Sequence, residues 1–256
     1  TIPGGVPLSY GDNFTNGATG RGAVTLSGSG QTFEGDTNVV NLNYRFDDGR
    51  WRIESGANLS TSTRSRPNPG FFSGLSSVLI NPVRISFSDT NPDQPGSIRA
   101  FDNSNQPVDL YDIRNYRLNT ASTAPYDTAS NLKSANLNLK RRFNVFSFPF
   151  ALQVGGMQRK VAVDTRLGGG TYTYNGPDGD PATPDTPEPF LMQVYKNQDS
   201  FYGFKNVPWT SVNRAFVANQ ANPRLFTQTL AQMVAEENSR LANSEYIKET
   251  VSALYL

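Results

Sequence analysis

The chain has 256 residues, a formal net charge of +1, and neither Cys nor His. Those two absences exclude disulfides, Cys/His nucleophile pairs, Ser-His-Asp triads and nearly all zinc sites, and the near-neutral charge supplies no global field to draw nucleic acid. The length fits one large or two ordinary domains at roughly 150 residues each; no segment approaches the ~18 apolar residues of a transmembrane helix, and a polar chain with 11% aromatic residues reads as β structure with long polar connections.

The opening residues, "TIPGGVPLSYGDN", carry no initiator Met and no signal peptide. A strand is predicted over 22–33, "GAVTLSGSGQTF", although its Gly-rich middle offers little side chain to pack. The next stretch is more regular. Val40, Leu42, Tyr44 and Phe46 fall at every second position, an Asp48-Gly49 pair follows, and Trp51, Ile53, Ala57 and Leu59 continue the alternation. This predicts strands over 38–47 and 50–61 joined by a two-residue turn at Asp48-Gly49. In that register Phe46 faces Trp51, Tyr44 faces Ile53 and Leu42 faces Ser55, with every large apolar residue on one side. Arg45 and Arg52 become cross-strand neighbours on the polar side, a mildly unfavourable pairing that a wet environment tolerates.

A connection over 62–131 follows, rich in Pro, within which "NPVRISFSD" and "SIRAFDN" suggest a small hairpin. Strands are then predicted over 132–142 and 145–163. Leu137 and Leu139 on the first, and Phe148, Phe150 and Leu152 on the second, form another one-sided stripe. With Phe143-Asn144 as the turn, Leu139 opposes Phe148 and Leu137 opposes Phe150; Pro149, which cannot donate to a ladder, weakens that register. The second long connection, 164–245, contains the acidic run "GPDGDPATPDTPEP". It also contains a predicted helix with Asn222 as N-cap, Pro223 at its first position and an apolar stripe of Leu225, Leu230, Met233, Val234 and Leu241. A last strand is predicted over 246–256. It stops without a turn or cap, and an unprotected edge is unusual, so the chain is expected to be cut from a longer one at both ends.

The parity of connections carries the functional reading. Short turns lie at one end of the predicted sheet and both long loops at the other. A soluble sandwich has no reason to sort its connections so, whereas an outer-membrane barrel joins strands of ~9–11 residues by short periplasmic turns and longer extracellular loops. Val40, Leu42, Tyr44, Phe46, Trp51, Ile53, Leu137, Leu139, Phe148, Phe150 and Leu152 are then expected to face lipid. The fold class expected is all-β: part of an antiparallel up-and-down transmembrane barrel with long extracellular loops, one of them carrying a helix.

Together "GDNFTNGATGRGAVTLSGSGQTFEGDT", "YRFDDGRWRIESGANLS", "LNLKRRFNVFSFPFALQVGGMQR" and "YIKETVSALYL" resemble the barrel of a TonB-dependent outer-membrane receptor. The likeness is one of texture and strand order rather than of a short motif. It implies a place in the bacterial outer membrane and five or six strands of a larger barrel. It further implies active uptake of a scarce bulky ligand such as an iron chelate, a corrinoid or an oligosaccharide. Energy would come through TonB, ExbB and ExbD, by way of a plug and a TonB box that the quoted stretches do not include.

Four candidate sites remain. Asp178, Asp180, Asp185 and Glu188 are oxygen ligands of the kind Ca²⁺ takes, but they lack the spacing of an EF-hand loop and read as a solvated acidic loop. "RLGGGTYTY", from Arg166 to Tyr174, has no Lys-Ser/Thr after its glycines and reads as a bend rather than a phosphate loop. Phe201, Tyr202, Phe204 and Trp209 sit in a loop assigned to the outside; they either stack on a sugar or chelate ring or pack the loop onto the following helix. The sequons at Asn13 and Asn58 are discounted, the second because it lies in a proposed membrane strand. No cofactor and no metal are expected. Carboxylates are plentiful, but no pair stands out as a glycosidase pair and no His serves as general base, so no enzyme is expected. The competing class is a secreted β-sandwich module that binds carbohydrate through the same aromatics.

Overall fold

The computed structural model describes residues 8–66, 72–90, 95–145, 148–192 and 208–256. Strands run, in chain order, as β1 (Ser9–Gly11), β2 (Phe14–Asn16), β3 (Thr25–Ser29), β4 (Glu34–Asp47), β5 (Trp51–Arg66), β6 (Gly74–Leu79), β7 (Arg84–Thr90), β8 (Pro95–Phe101) and β9 (Pro107–Val108). They continue as β10 (Tyr116–Ser122), β11 (Tyr126–Val145), β12 (Phe148–Leu167), β13 (Thr171–Tyr174), β14 (Leu191–Met192) and β15 (Trp209–Thr210). Helix α1 (Val212–Ala221), β16 (Phe226–Thr227), helix α2 (Leu230–Ala242) and β17 (Glu245–Tyr255) complete the order. The chain is mostly antiparallel β structure, divided into two compact units.

One unit comprises 32–69, 124–169 and 237–256. It is an open five-stranded sheet of order β17-β12-β11-β5-β4. The strands reach 20 residues in β11 and β12, well past the predicted ends. Asp47 and Trp51 are joined by a tight turn, and β11 meets β12 across 146–147. At the far end, Glu34, Arg66, Tyr126, Leu167 and Glu245 are the points where the chain enters or leaves the sheet. The predicted sorting of short and long connections is present.

Both hairpin registers differ from the sequence reading, and both differ by an even number of positions. Phe46 pairs with Ile53, Tyr44 with Ser55 and Leu42 with Ala57. The reason is Asp48, whose Oδ1 accepts from the amides of Arg50 (2.9 Å) and Trp51 (2.6 Å) and so becomes the first corner of the turn. Gly49, at φ +86°, takes the first central position, which a primed hairpin turn reserves for glycine. In the other hairpin Leu139 pairs with Val154, Leu137 with Gly156, and Phe143 with Phe150, so the expected Phe143-Asn144 turn is strand instead. Pro149 falls where β12 has β11 as its one described neighbour, since β17 pairs with β12 only from Gly155 onward. Side-chain direction has period 2, so these even shifts leave every apolar residue on its expected face.

The other unit comprises 1–31, 70–123 and 170–236. The predicted strand over 22–33 is not part of the long sheet. Thr25–Ser29 pairs with β6 instead, in a sheet of order β16-β13-β10-β6-β3. Gly28 admits a close neighbour there: a Cβ would meet the Thr210 carbonyl oxygen at 2.8 Å, a backbone approach that only glycine permits. The hairpin suggested by "NPVRISFSD" and "SIRAFDN" is β7–β8, in a second sheet of order β1-β2-β7-β8-β9. Two buried clusters hold this unit. One gathers Phe72, Leu118, Tyr174, Phe190, Phe216 and Phe226, and the other Leu26, Val83, Ile85, Ile113 and Tyr116.

The predicted helix is two helices. Asn222 is the C-cap of α1 rather than the N-cap of its successor, and Pro223 then does what proline does after a C-cap. Helix α2 opens on a capping box. The Thr229 Oγ1 accepts from the Gln232 amide at 3.2 Å, and the Gln232 side-chain oxygen accepts from the Thr229 amide at 2.8 Å. Leu230, Met233, Val234 and Leu241 are exposed rather than packed. No helix among the described residues is long and apolar enough to cross a membrane.

Candidate functional site

In the long sheet, hydrogen-bonded rows put residues of five strands side by side on each face. One row runs Phe46, Ile53, Leu139, Val154; the next runs Tyr44, Ser55, Leu137, Gly156, Leu254; the next runs Leu42, Ala57, Ala135, Gln158, Ser252. Large apolar side chains on this face stand open: Leu42 is 70% exposed, Leu137 55% and Phe150 54%. Val40, Tyr44, Phe46, Phe148 and Leu152 are exposed as well, while Trp51, Ile53 and Leu139 are half-buried by their neighbours within the sheet.

The apolar zone has two borders. Towards the turns it ends in rings. The Arg141 guanidinium stands 4.7 Å from the ring centre of Trp51 and 4.7 Å from that of Phe143, and Phe143 lies 5.6 Å from Phe150. A long cationic stem with aromatic partners suits a site that is greasy on one side and wet on the other. Towards the long connections the main apolar stripe reaches Val40, Leu59, Ala135, Val154 and Leu254, with Ala129, Ala162 and Tyr246 standing apart beyond it on the same face. That border is oblique. Val40 pairs with Leu59, but along the same row the next residues are Lys133, Lys160 and Thr250. Leu254 stands four positions from Thr250 after four strand steps, and Val154 six positions from Lys160 after three.

The opposite face is polar over β4, β5 and the turn-side half of β11, while on β12 and β17 it also carries Met157, Val161, Val163, Ile247, Val251 and Tyr255. Arg45 pairs with Glu54, with 3.7 Å between Arg45 Nε and Glu54 Oε1, and Arg52 pairs with Asp47. The expected opposition of Arg45 to Arg52 is thus replaced by two complementary ones, a second reason for the observed register. Arg142 donates to the Gly49 carbonyl at 3.0 Å and reaches Asp47 at 3.4 Å. Arg52, Glu54, Asn138, Lys140 and Gln153 line a small polar pocket. Asn58 donates to the Asn41 side chain, so that sequon is an interstrand amide contact.

In the other unit, Trp209 is exposed on β15 and pairs with Met192; Phe201, Tyr202 and Phe204 lie outside the described residues. The aromatic core is built from other residues. Phe226 lies 4.8 Å from both Phe72 and Tyr174, ring centre to ring centre, and Tyr174 lies 5.9 Å from Phe190. Scattered single aromatics show no period, so the sequence signals this cluster poorly. The acidic run is a chain of turns: Asp178 accepts from the Asp180 amide at 3.0 Å and from Thr183 Oγ1 at 3.0 Å, and these bonds hold its carboxyl below the usual range. No group of three metal-ligating side chains occurs among the described residues. A polar groove beside this run is lined by Asn175, Asp178, Asn222, Arg224 and Thr227. The glycines at 168–170 form the break between β12 and β13, where the Gly170 amide donates to Thr123 Oγ1 at 3.0 Å.

No protein-family model matches the chain, and no curated protein matches it by sequence.

Proposed function

We propose that the long sheet is a section of a transmembrane β-barrel, in a bacterial outer-membrane transporter of the TonB-dependent kind. The observation that carries the reading is the oblique apolar zone. Across four strand steps the border shifts by a net four residues, an average of one per strand, which at ~3.3 Å per residue and ~4.8 Å between strands is a slant of roughly 35° to the rows. Strands of outer-membrane barrels tilt by ~35–45°, so a level membrane border would cross the rows at such an angle. On β5 the zone runs from Trp51 to Leu59. That is about 26 Å along the strand and roughly 20 Å of depth once tilted, close to the ~25 Å band of such barrels. Aromatic rings at the turn-side border fit the girdle expected there.

On this reading the polar face lines a wet lumen, the tight turns are periplasmic, and the compact unit made from the long connections is extracellular. Its groove at Asn175, Asp178, Asn222 and Arg224 offers donors and acceptors for a hydroxyl-rich or carboxylate-bearing ligand such as an oligosaccharide or an iron chelate. Both edge strands, β4 and β17, have one side without a partner among the described residues, as a sheet awaiting further strands would. Coupling to TonB, ExbB and ExbD follows from the same reading.

Single spin labels test it. Labels at Leu42, Ile53, Leu137 and Phe150 in bilayers should be relaxed by oxygen and not by a water-soluble nickel chelate, with the reverse at Asn43 and Asn138. Nickel access at all six positions sinks the transporter and leaves the carbohydrate-binding module as the better reading.

A further inference from the structure

Just beyond the apolar zone, on the same face, three lysines stand together. Lys133 and Lys160 are direct partners in the β11–β12 ladder. Lys248 lies diagonally from Lys160, since Thr250 pairs with Lys160 and Lys248 with Ala162. Direct cross-strand partners point to the same face, so the two ammonium groups share one patch of surface. All three side chains are exposed. The same-face neighbours of Lys133 and Lys160 are Leu59, Asn131, Ala135, Gln158, Ala162 and Thr250, none of them acidic, whereas Lys248 has Asp164 on its other diagonal, a carboxylate that Arg166 engages at 3.1 Å. Like charges in direct opposition are unfavourable, and where the polar face holds such a pair, Arg52 with Lys140, it sets carboxylates beside it: Arg52 also pairs with Asp47 and its guanidinium donates to Glu54 at 2.5 Å.

We infer that Lys133, Lys160 and Lys248 bind the phosphate of a membrane lipid headgroup. The inference rests on the membrane reading above. Lys133 follows Ala135, the last apolar residue of the zone on β11, with only one residue between them. A lysine at that depth keeps its stem against the acyl chains and its ammonium at headgroup level. A phosphate there neutralises the repulsion between Lys133 and Lys160, a pair with no carboxylate beside it, and each lysine near an anionic surface contributes roughly a five-fold gain in binding.

The test compares binding of the whole chain to vesicles of phosphatidylcholine with binding to vesicles containing phosphatidylglycerol. The wild type should prefer the anionic vesicles. The triple variant K133Q/K160Q/K248Q should lose most of that preference, on the order of 100-fold if the three gains multiply, whereas K140Q on the polar face should keep it. Lys160→Glu gives a readout that misfolding cannot imitate: it creates a complementary pair with Lys133, so thermal stability should rise while the anionic preference falls. A preference that survives the triple substitution overturns the site but not the membrane reading. Failure of the wild type to bind either vesicle overturns the membrane reading itself. Stabilisation by inorganic phosphate, lost in the triple variant and unaccompanied by any vesicle preference, overturns lipid as the source of the phosphate.

Discussion

Tyr255 crosses over Gly155. It fills the space that a side chain at Gly155 would take, and its hydroxyl donates to the Asn138 side-chain oxygen on β11, one strand further on. On the other face Leu254 uses the neighbouring glycine in the same way, since a Cβ at Gly156 would meet its Cδ2 at 2.7 Å. The Gly155-Gly156 pair therefore admits the last two residues of β17 onto opposite faces. Gly155→Ala should displace the tyrosine and cost ~1–3 kcal/mol. In a Tyr255→Ala background the same change should cost much less. Urea unfolding of the four proteins measures the coupling, and additive effects would show that the contact contributes nothing.

The face assignment makes a sharper demand. Leu42 and Asn43 are sequence neighbours on opposite faces of β4, at 70% exposure in the case of Leu42. Under the proposed membrane placement, Leu42→Arg should cost ~2–4 kcal/mol if the residue lies near the bilayer midplane, whereas Asn43→Arg on the opposite face should cost little. Folding titrations into lipid vesicles separate the two. Equal costs would mean that the two faces see the same medium.

The two-faced sheet was legible in the sequence because alternation survives any even slip in register. Leu42, Ile53 and Leu139 sit on the expected face although none meets its expected partner. What the alternation does not encode is the turn, which was decided by the Asp48 carboxylate and its two amide bonds. In the terminal strand alternation alone does not fix the face. Val251, Ala253 and Tyr255 alternate well, yet Tyr255 falls on the polar face and Leu254 on the apolar one, because phase is set by the pairing with Gly155 and Gly156. The compact unit was hardest to foresee. Its core brings together Phe72, Tyr174 and Phe226 from three separate segments, and contacts of that sequence separation leave no local pattern. The helix at Asn222 was misread because Asn-Pro ends one helix as readily as it begins another.

Alkali should unfold the compact unit first. Burial pushes the Tyr116 and Tyr174 phenols up to about 12 from an ordinary value of 10.0, with nearby carboxylates adding to the effect. The folded state therefore holds these protons more tightly than the unfolded chain. Their stabilising contribution is complete below pH ~10, shrinks as the pH rises above it, and is gone once the pH passes ~12. The thermal midpoint of the unit should fall across that window, and Tyr116→Phe with Tyr174→Phe should flatten the decline. An unchanged slope in the double variant would mean that other groups control the alkaline limb.

Phe226 is the residue on which the compact unit most depends. It is 2% exposed and touches the rings of Phe72, Tyr174 and Phe190, so that three aromatic contacts converge on one short strand. Truncation to alanine removes these contacts and leaves a cavity that the paired β13–β16 backbone cannot easily collapse; the expected cost is ~3–5 kcal/mol. Hydrogen exchange locates that loss. Amides of β10 and β13 should exchange faster in Phe226→Ala, while those in the middle of β11 and β12, which belong to the other unit, should keep their wild-type protection. Equal acceleration in both sets would show that the two units unfold as one.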